Sequence, residues 1–129
     1  MSKLKMLVAA AALTVMGSPA IAMDGNVEEG AKVFKKCATC HIVEEAKNKV
    51  GPQLIGIVGR KIAVVEGFKY STAMIEFGAG DKVWDEALLG EYLANPKGVV
   101  KGTKMAFAGL KKEEEIANVI AYLKTFPAQ

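Results

Sequence analysis

Cys37-Ala38-Thr39-Cys40-His41 is the stretch around which the rest of the chain is organised. A C-x-x-C-H run marks covalent attachment of a c-type haem. If the run is helical, Cys37 and Cys40 are three apart and Cys37 and His41 four apart, so the three side chains share one face. That face can hold one flat ligand: the thiols would add to its vinyl groups as thioethers, and the His41 imidazole would bind iron from the proximal side. Two other chemistries use such residues. A thioredoxin-like pair belongs at the end of a strand in a βαβ pattern, and none flanks this one. Zinc needs four ligands, and a chain with two Cys and one His would have to recruit an Asp or Glu.

The chain of 129 residues opens with Lys3 and Lys5 ahead of an apolar run from Met6 to Met16, followed by Gly17-Ser18-Pro19 and Ala20-Ile21-Ala22. This is the pattern of a cleaved export signal over 1–22. Its apolar run is too short for a membrane span. Cleavage after Ala22 leaves 107 residues, 23–129, enough for one small domain working outside the cytoplasm. Without Lys3 and Lys5 the basic count falls from 17 to 15 against 14 acidic residues, and the net charge from +3 to +1. Nothing in that balance suggests nucleic acid. A disulfide between cysteines so close in sequence would close a very short loop of little stabilising value. Haem attachment uses them better, because a porphyrin supplies apolar mass that a small domain lacks.

From Asp24 the apolar positions Val27, Ala31, Val33 and Phe34 recur at helical spacing. Gly30 among them either admits a close neighbouring helix or merely weakens this one. After His41 the density of Gly and Pro from Gly51 to Arg60 indicates a tight non-helical path. Pro52 is a turn residue that also keeps a carbonyl, the kind of acceptor a ligating imidazole uses for its second nitrogen. Arg60 is either solvent-exposed or paired with a haem propionate. Ile62 to Glu66 looks like a strand, yet no second strand follows to pair with it. Gly67 to Tyr70 reads as a turn, Ser71 as the cap of a short helix through Phe77, and Gly78-Ala79-Gly80 as its end. Tyr70 and Trp84 have polar tips that haem carboxylates could satisfy, or they are ordinary core. Asp85 caps a helix carrying Leu88, Leu89, Tyr92 and Leu93, which Pro96 stops; Gly98 to Met105 is then a loop. Glu113-Glu114-Glu115 opens a last helix with an Ile116, Val119, Ile120, Leu123 stripe, closed by Pro127. The economical fold is one all-α domain.

With no second His, intramolecular bis-His ligation is impossible, which turns the search for a sixth ligand to the six Met. Cleavage removes Met1, Met6 and Met16 and leaves Met23 at the new N-terminus, so Met74 and Met105 remain. Met74 falls in an expected helix, where Met is usually core filler. Met105 falls in a Gly-containing loop that can cross the face opposite His41, and is preferred.

These residues together resemble a class I cytochrome c, of the kind that serves as a soluble periplasmic carrier in bacteria and as the mitochondrial protein. The resemblance runs from Gly30-x-x-x-Phe34 to Ile120-Ala121-Tyr122-Leu123. It is carried by the haem motif, Gly51-Pro52-x-Leu54 with Gly59-Arg60, Gly67-Phe68-x-Tyr70, Trp84, Tyr92-Leu93-x-Asn95-Pro96-Lys97, and Gly102-Thr103-Lys104-Met105-x-Phe107. It implies a small cytochrome c fold with crossing terminal helices, in which Gly30 and Phe34 pack against Tyr122. One covalent haem c is held by Cys37 and Cys40, with His41 and Met105 as axial ligands. It further implies that the Pro52 carbonyl orients His41, that the Tyr92 hydroxyl bonds the Met105 sulfur, and that Arg60, Tyr70, Trp84 and Thr103 surround the propionates. One departure is Met74, where many relatives carry Asn. Another is a short insertion centred on Gly78-Ala79-Gly80.

The implied function is a monomeric periplasmic electron carrier, not an enzyme, between a quinol-oxidising membrane complex of cytochrome bc type and a terminal oxidase or photosynthetic reaction centre. Lys36, Lys49, Lys97, Lys104, Lys111 and Lys112 adjoin the haem-bearing segments and could line a docking edge. The alternative is a five-coordinate haem enzyme or gas sensor with Met105 unbound.

Overall fold

Asn26 begins the first helix because its side chain accepts the Glu29 N–H at 2.9 Å, satisfying a donor that the helix itself cannot. In this computed structural model, which describes residues 24–129, helix α1 then runs over Val27–Phe34. The expected export signal over 1–22 lies outside the described residues. Helix α2 is Thr72–Phe77 and α3 is Glu86–Ala94, each capped as its sequence predicts: Ser71 Oγ accepts the Met74 N–H at 3.0 Å and Asp85 the Leu88 N–H at 2.7 Å. Helix α4 is Pro96–Val99 and α5 is Glu113–Leu123. The described residues contain no strand beyond one isolated bridge, so the fold is all-α.

The terminal helices α1 and α5 pack directly on each other. Gly30 makes this possible: a Cβ there would strike the Asn118 carbonyl and stand 2.8 Å from the Tyr122 Cβ. Of its two readings, close approach is therefore the correct one. Phe34 lies with its ring centroid 5.3 Å from that of Tyr122, and Asn118, buried in α5, accepts the Asn26 N–H through Oδ1 at 2.8 Å. The expected stripe of α5 is fully inside, with Ile116, Val119, Ile120 and Leu123 at 1–6% exposure, packed with Val33, Phe34, Leu89, Leu93 and Leu110.

Three local expectations change. Cys37 to His41 is a helical turn following α1 and not part of it, although the His41 N–H still reaches the Cys37 carbonyl at 2.9 Å. Ile62 to Glu66 is no strand, because Ala63 has a positive φ of 60°. A partner for its start nevertheless exists: Arg60 and Ile62 exchange backbone bonds with Trp84 and Lys82, around an antiparallel Lys61–Val83 bridge. Pro96 stops α3 but also starts α4 at its first turn, where a missing N–H costs nothing, with Asn95 Oδ1 accepting the Gly98 N–H.

Candidate haem site

The turn after α1, the 49–60 loop, α2, α3 and the 102–107 loop enclose a cavity of about 290 Å³ with predominantly aliphatic and aromatic walls. Every residue assigned to a site from sequence lines it: Cys37, Cys40, His41, Pro52, Arg60, Tyr70, Trp84, Tyr92, Thr103 and Met105. The two thiols are free and half-buried. Burial raises the Cys37 pKa, keeping the thiol protonated.

His41 is prepared as a ligand. Its Nδ1 lies 2.8 Å from the Pro52 carbonyl. A carbonyl only accepts, so Nδ1 carries the proton and Nε2 keeps a lone pair. Burial lowers the imidazole pKa, outweighing the opposite pull of the Pro52 bond, so the ring is neutral near pH 7. Gly51 makes room for the ring: a Cβ there would stand 2.7 Å from Nδ1 and 2.9 Å from Nε2. Its N–H is bonded to the Cys40 carbonyl at 2.7 Å, which ties this loop to the cysteine turn.

On the 102–105 loop, Thr103 Oγ1 accepts the Met105 N–H at 3.3 Å and pairs with the Tyr92 hydroxyl at 2.8 Å. The structure shows the Tyr92 hydroxyl paired with an oxygen two residues before Met105, the residue whose sulfur the resemblance assigns to it. Burial raises the Tyr92 pKa and keeps its proton in place. Arg60 is half-buried and not solvated: one terminal nitrogen donates to the Gln53 and Ile55 carbonyls at 2.8 and 3.2 Å. Three of its five donors are left for an anion in the cavity. The Tyr70 hydroxyl accepts the Val65 N–H at 3.1 Å, leaving its own proton to donate. The Thr103 hydroxyl is engaged with Tyr92 and Met105, so among the four residues expected at the propionates it is the least available.

These residues fit a haem. The walls are apolar, the anion donors are clustered, the thiols stand at the edge, and an imidazole shows one bare nitrogen. Zinc is not supported, since no group of three His, Cys, Asp or Glu converges among the described residues. A βαβ redox motif is equally absent among them. Sequence reasoning missed Phe68 and Ser71 as wall residues and set Met74 aside as filler, although all three line the cavity. Phe68 stacks edge-to-face on Tyr70, with centroids 4.8 Å apart, and both line the cavity.

The lysines divide into two groups. Lys36 faces Glu115 at 3.6 Å, Lys49 donates to the Ala38 carbonyl at 3.1 Å, and Lys111 to the Ala108 carbonyl at 3.0 Å. Lys97, Lys104 and Lys112 are exposed and form no ion pair among the described residues. Among those residues no helix is long and apolar enough to cross a membrane.

Comparison with known proteins agrees with this geometry. Residues 27–127 match the family model described as cytochrome c. The chain is 55% identical over 101 residues to cytochrome c-550 of Ancylobacter novellus, covering 78% of this chain and 94% of that protein. It is 50% identical over 101 residues to cytochrome c2 of Afifella marina, covering 78% and 82%. Among solved structures, cytochrome cH from Methylobacterium extorquens superposes with a TM-score of 0.72 at 42% identity, covering 78% of this chain and 99% of that one.

Proposed function

Because the chain belongs to the cytochrome c family, we propose that it is a diffusible periplasmic carrier whose haem iron is held between His41 Nε2 and Met105 Sδ. Electron transport and a covalent haem c come with the family; Cys37 and Cys40, the chain's only cysteines, are its anchors. The bound group supplies one-electron chemistry at iron, with Met sulfur and an apolar pocket favouring the reduced state.

The observation that carries the ligand assignment is the His41–Pro52 bond, because it fixes which imidazole nitrogen is bare. Thr103 and Tyr92 restrain the backbone of Met105 through the Met105 N–H, which helps to keep its loop at the cavity. Arg60 and Tyr70 present donors for propionate oxygens within predominantly apolar walls. With His41 and Met105 both bound to the iron, substrate would have no place there, which favours a carrier over an enzyme. We place the carrier, as a monomer exported by a signal over 1–22, between a quinol-oxidising membrane complex and an oxidase or photosynthetic reaction centre.

The test is absorption of the reduced protein with and without carbon monoxide. A carrier with both positions filled gives an unchanged spectrum. A prompt shift at low carbon monoxide overturns the reading in favour of a five-coordinate enzyme or sensor.

A further inference from the structure

Met74 is half-buried and lines the same cavity as Met105. It is not core filler in the ordinary sense, because α2 has no fully buried residue. The side chains of α2 that are partly covered, Ala73, Met74 and Phe77, pack at the edge of the core. The helix is six residues long and depends on the Ser71 cap at its start. A segment with so little buried surface moves at small cost in free energy.

Its position relative to the ligand loop is specific. A Cβ added to Gly102 would stand 3.2 Å from the Ala73 Cβ, so α2 leans on the loop that carries Met105. His41 instead belongs to the Gly51–Pro52 side. Both methionines therefore line one cavity, Met74 on the helix that meets the Gly102 end of the Met105 loop, with His41 held by the Gly51–Pro52 segment. Met is long, unbranched and adaptable, with the same neutral sulfur donor at either position.

We propose that Met74 is a reserve thioether ligand, which takes the axial position on haem iron when Met105 is withdrawn; this rests on the His41 and Met105 assignment above. In the exchange the iron–sulfur bond to Met105 breaks and one to Met74 forms. Both donors are neutral, so no electron or proton moves and the iron keeps its charge.

The test compares holoprotein variants Met74→Leu, Met105→Ala and the double variant, by the far-red sulfur-to-iron charge-transfer band of the ferric form and by carbon monoxide affinity of the reduced form. Leu keeps the volume of Met without its donor. Met74→Leu alone retains the band. Met105→Ala also retains it and binds carbon monoxide at least about tenfold more weakly than the double variant, about 1.4 kcal/mol, which loses the band. If Met105→Ala fails to fold, Met105→Leu gives the same two readouts. Loss of the band in the single Met105 variant, with carbon monoxide binding equal to that of the double, overturns the proposal. Loss of the band in Met74→Leu alone would instead overturn the Met105 assignment on which it rests.

Discussion

Gly51→Ala isolates the packing that aims the proximal imidazole. The backbone at Gly51 is not left-handed, so alanine fits its dihedrals and would by itself gain about 0.4–1 kcal/mol from a stiffer unfolded chain. Against this, the new methyl meets three atoms of the His41 ring, with Nδ1 at 2.7 Å and Nε2 at 2.9 Å. The ring is held at Nδ1 by the Pro52 carbonyl and cannot yield without disturbing that bond. Overpacking of this kind costs about 1–3 kcal/mol, leaving a net loss centred on about 1 kcal/mol and at most about 2.6 kcal/mol. For a domain near 100 residues a loss of about 1 kcal/mol is a fall in Tm of about 4–8 °C.

Displacement of the ring also weakens the Nδ1–H bond that makes the imidazole a better donor to iron, so the reduction potential rises. Guanidinium unfolding of the holoprotein reads the first effect, as a lower midpoint at constant slope, and a potentiometric titration reads the second. Gly59→Ala is the control. Its φ of 90° imposes a left-handed cost of about 1–2 kcal/mol, but nothing lies within 4 Å of the added Cβ. Stability falls there and the potential does not move. An alanine at 51 that is as stable as wild type, with an unmoved potential, refutes the argument.

Gly30→Ala should drive α1 from α5 at the Asn118 carbonyl and lower the unfolding midpoint, while Gly80→Ala, open to solvent, leaves that interface intact; hydrogen exchange localised to the two helices distinguishes them. Tyr92→Phe and Thr103→Val remove opposite ends of one 2.8 Å bond, so each should cost about 0.5–1.5 kcal/mol. Their double-mutant cycle should show a coupling of about 1 kcal/mol, and strict additivity would exclude the bond. Lys97→Glu and Lys104→Glu should slow electron transfer to an acidic partner several-fold at low salt, with the effect fading as salt rises. Lys124→Glu, at a lysine paired with Glu86 and absent from the cavity wall, should not; equal slowing by all three removes the docking role.

Helix starts were legible because capping is local. Ser71 and Asp85 each accept an N–H three residues on, so residue type and spacing contain the whole interaction. Asn95-Pro96 was half legible. Proline forbids continuation of α3, but whether the chain re-enters a helix depends on Asn95 turning its side chain to Gly98. The pairing of Arg60 and Ile62 with Trp84 and Lys82 was not legible, since its partners lie twenty or more residues apart and bear no alternation over so short a span.

The site divides the same way. The haem motif brings Cys37, Cys40 and His41 together within one turn, and the elimination of other donors needs only a residue count. Bonds within the site depend on loop paths: Tyr92 meets Thr103 because the 102–105 loop passes α3 with its oxygen forward. Met74 was half legible. Helical spacing tells which residues share a face, and an apolar face is normally read as pressed against other protein. Here the face of α2 that carries Met74 packs at the edge of the core and also borders the cavity, so residue type and spacing show only half of its surroundings. Periodicity cannot distinguish a methionine enclosed by the core from one that also lines a cavity.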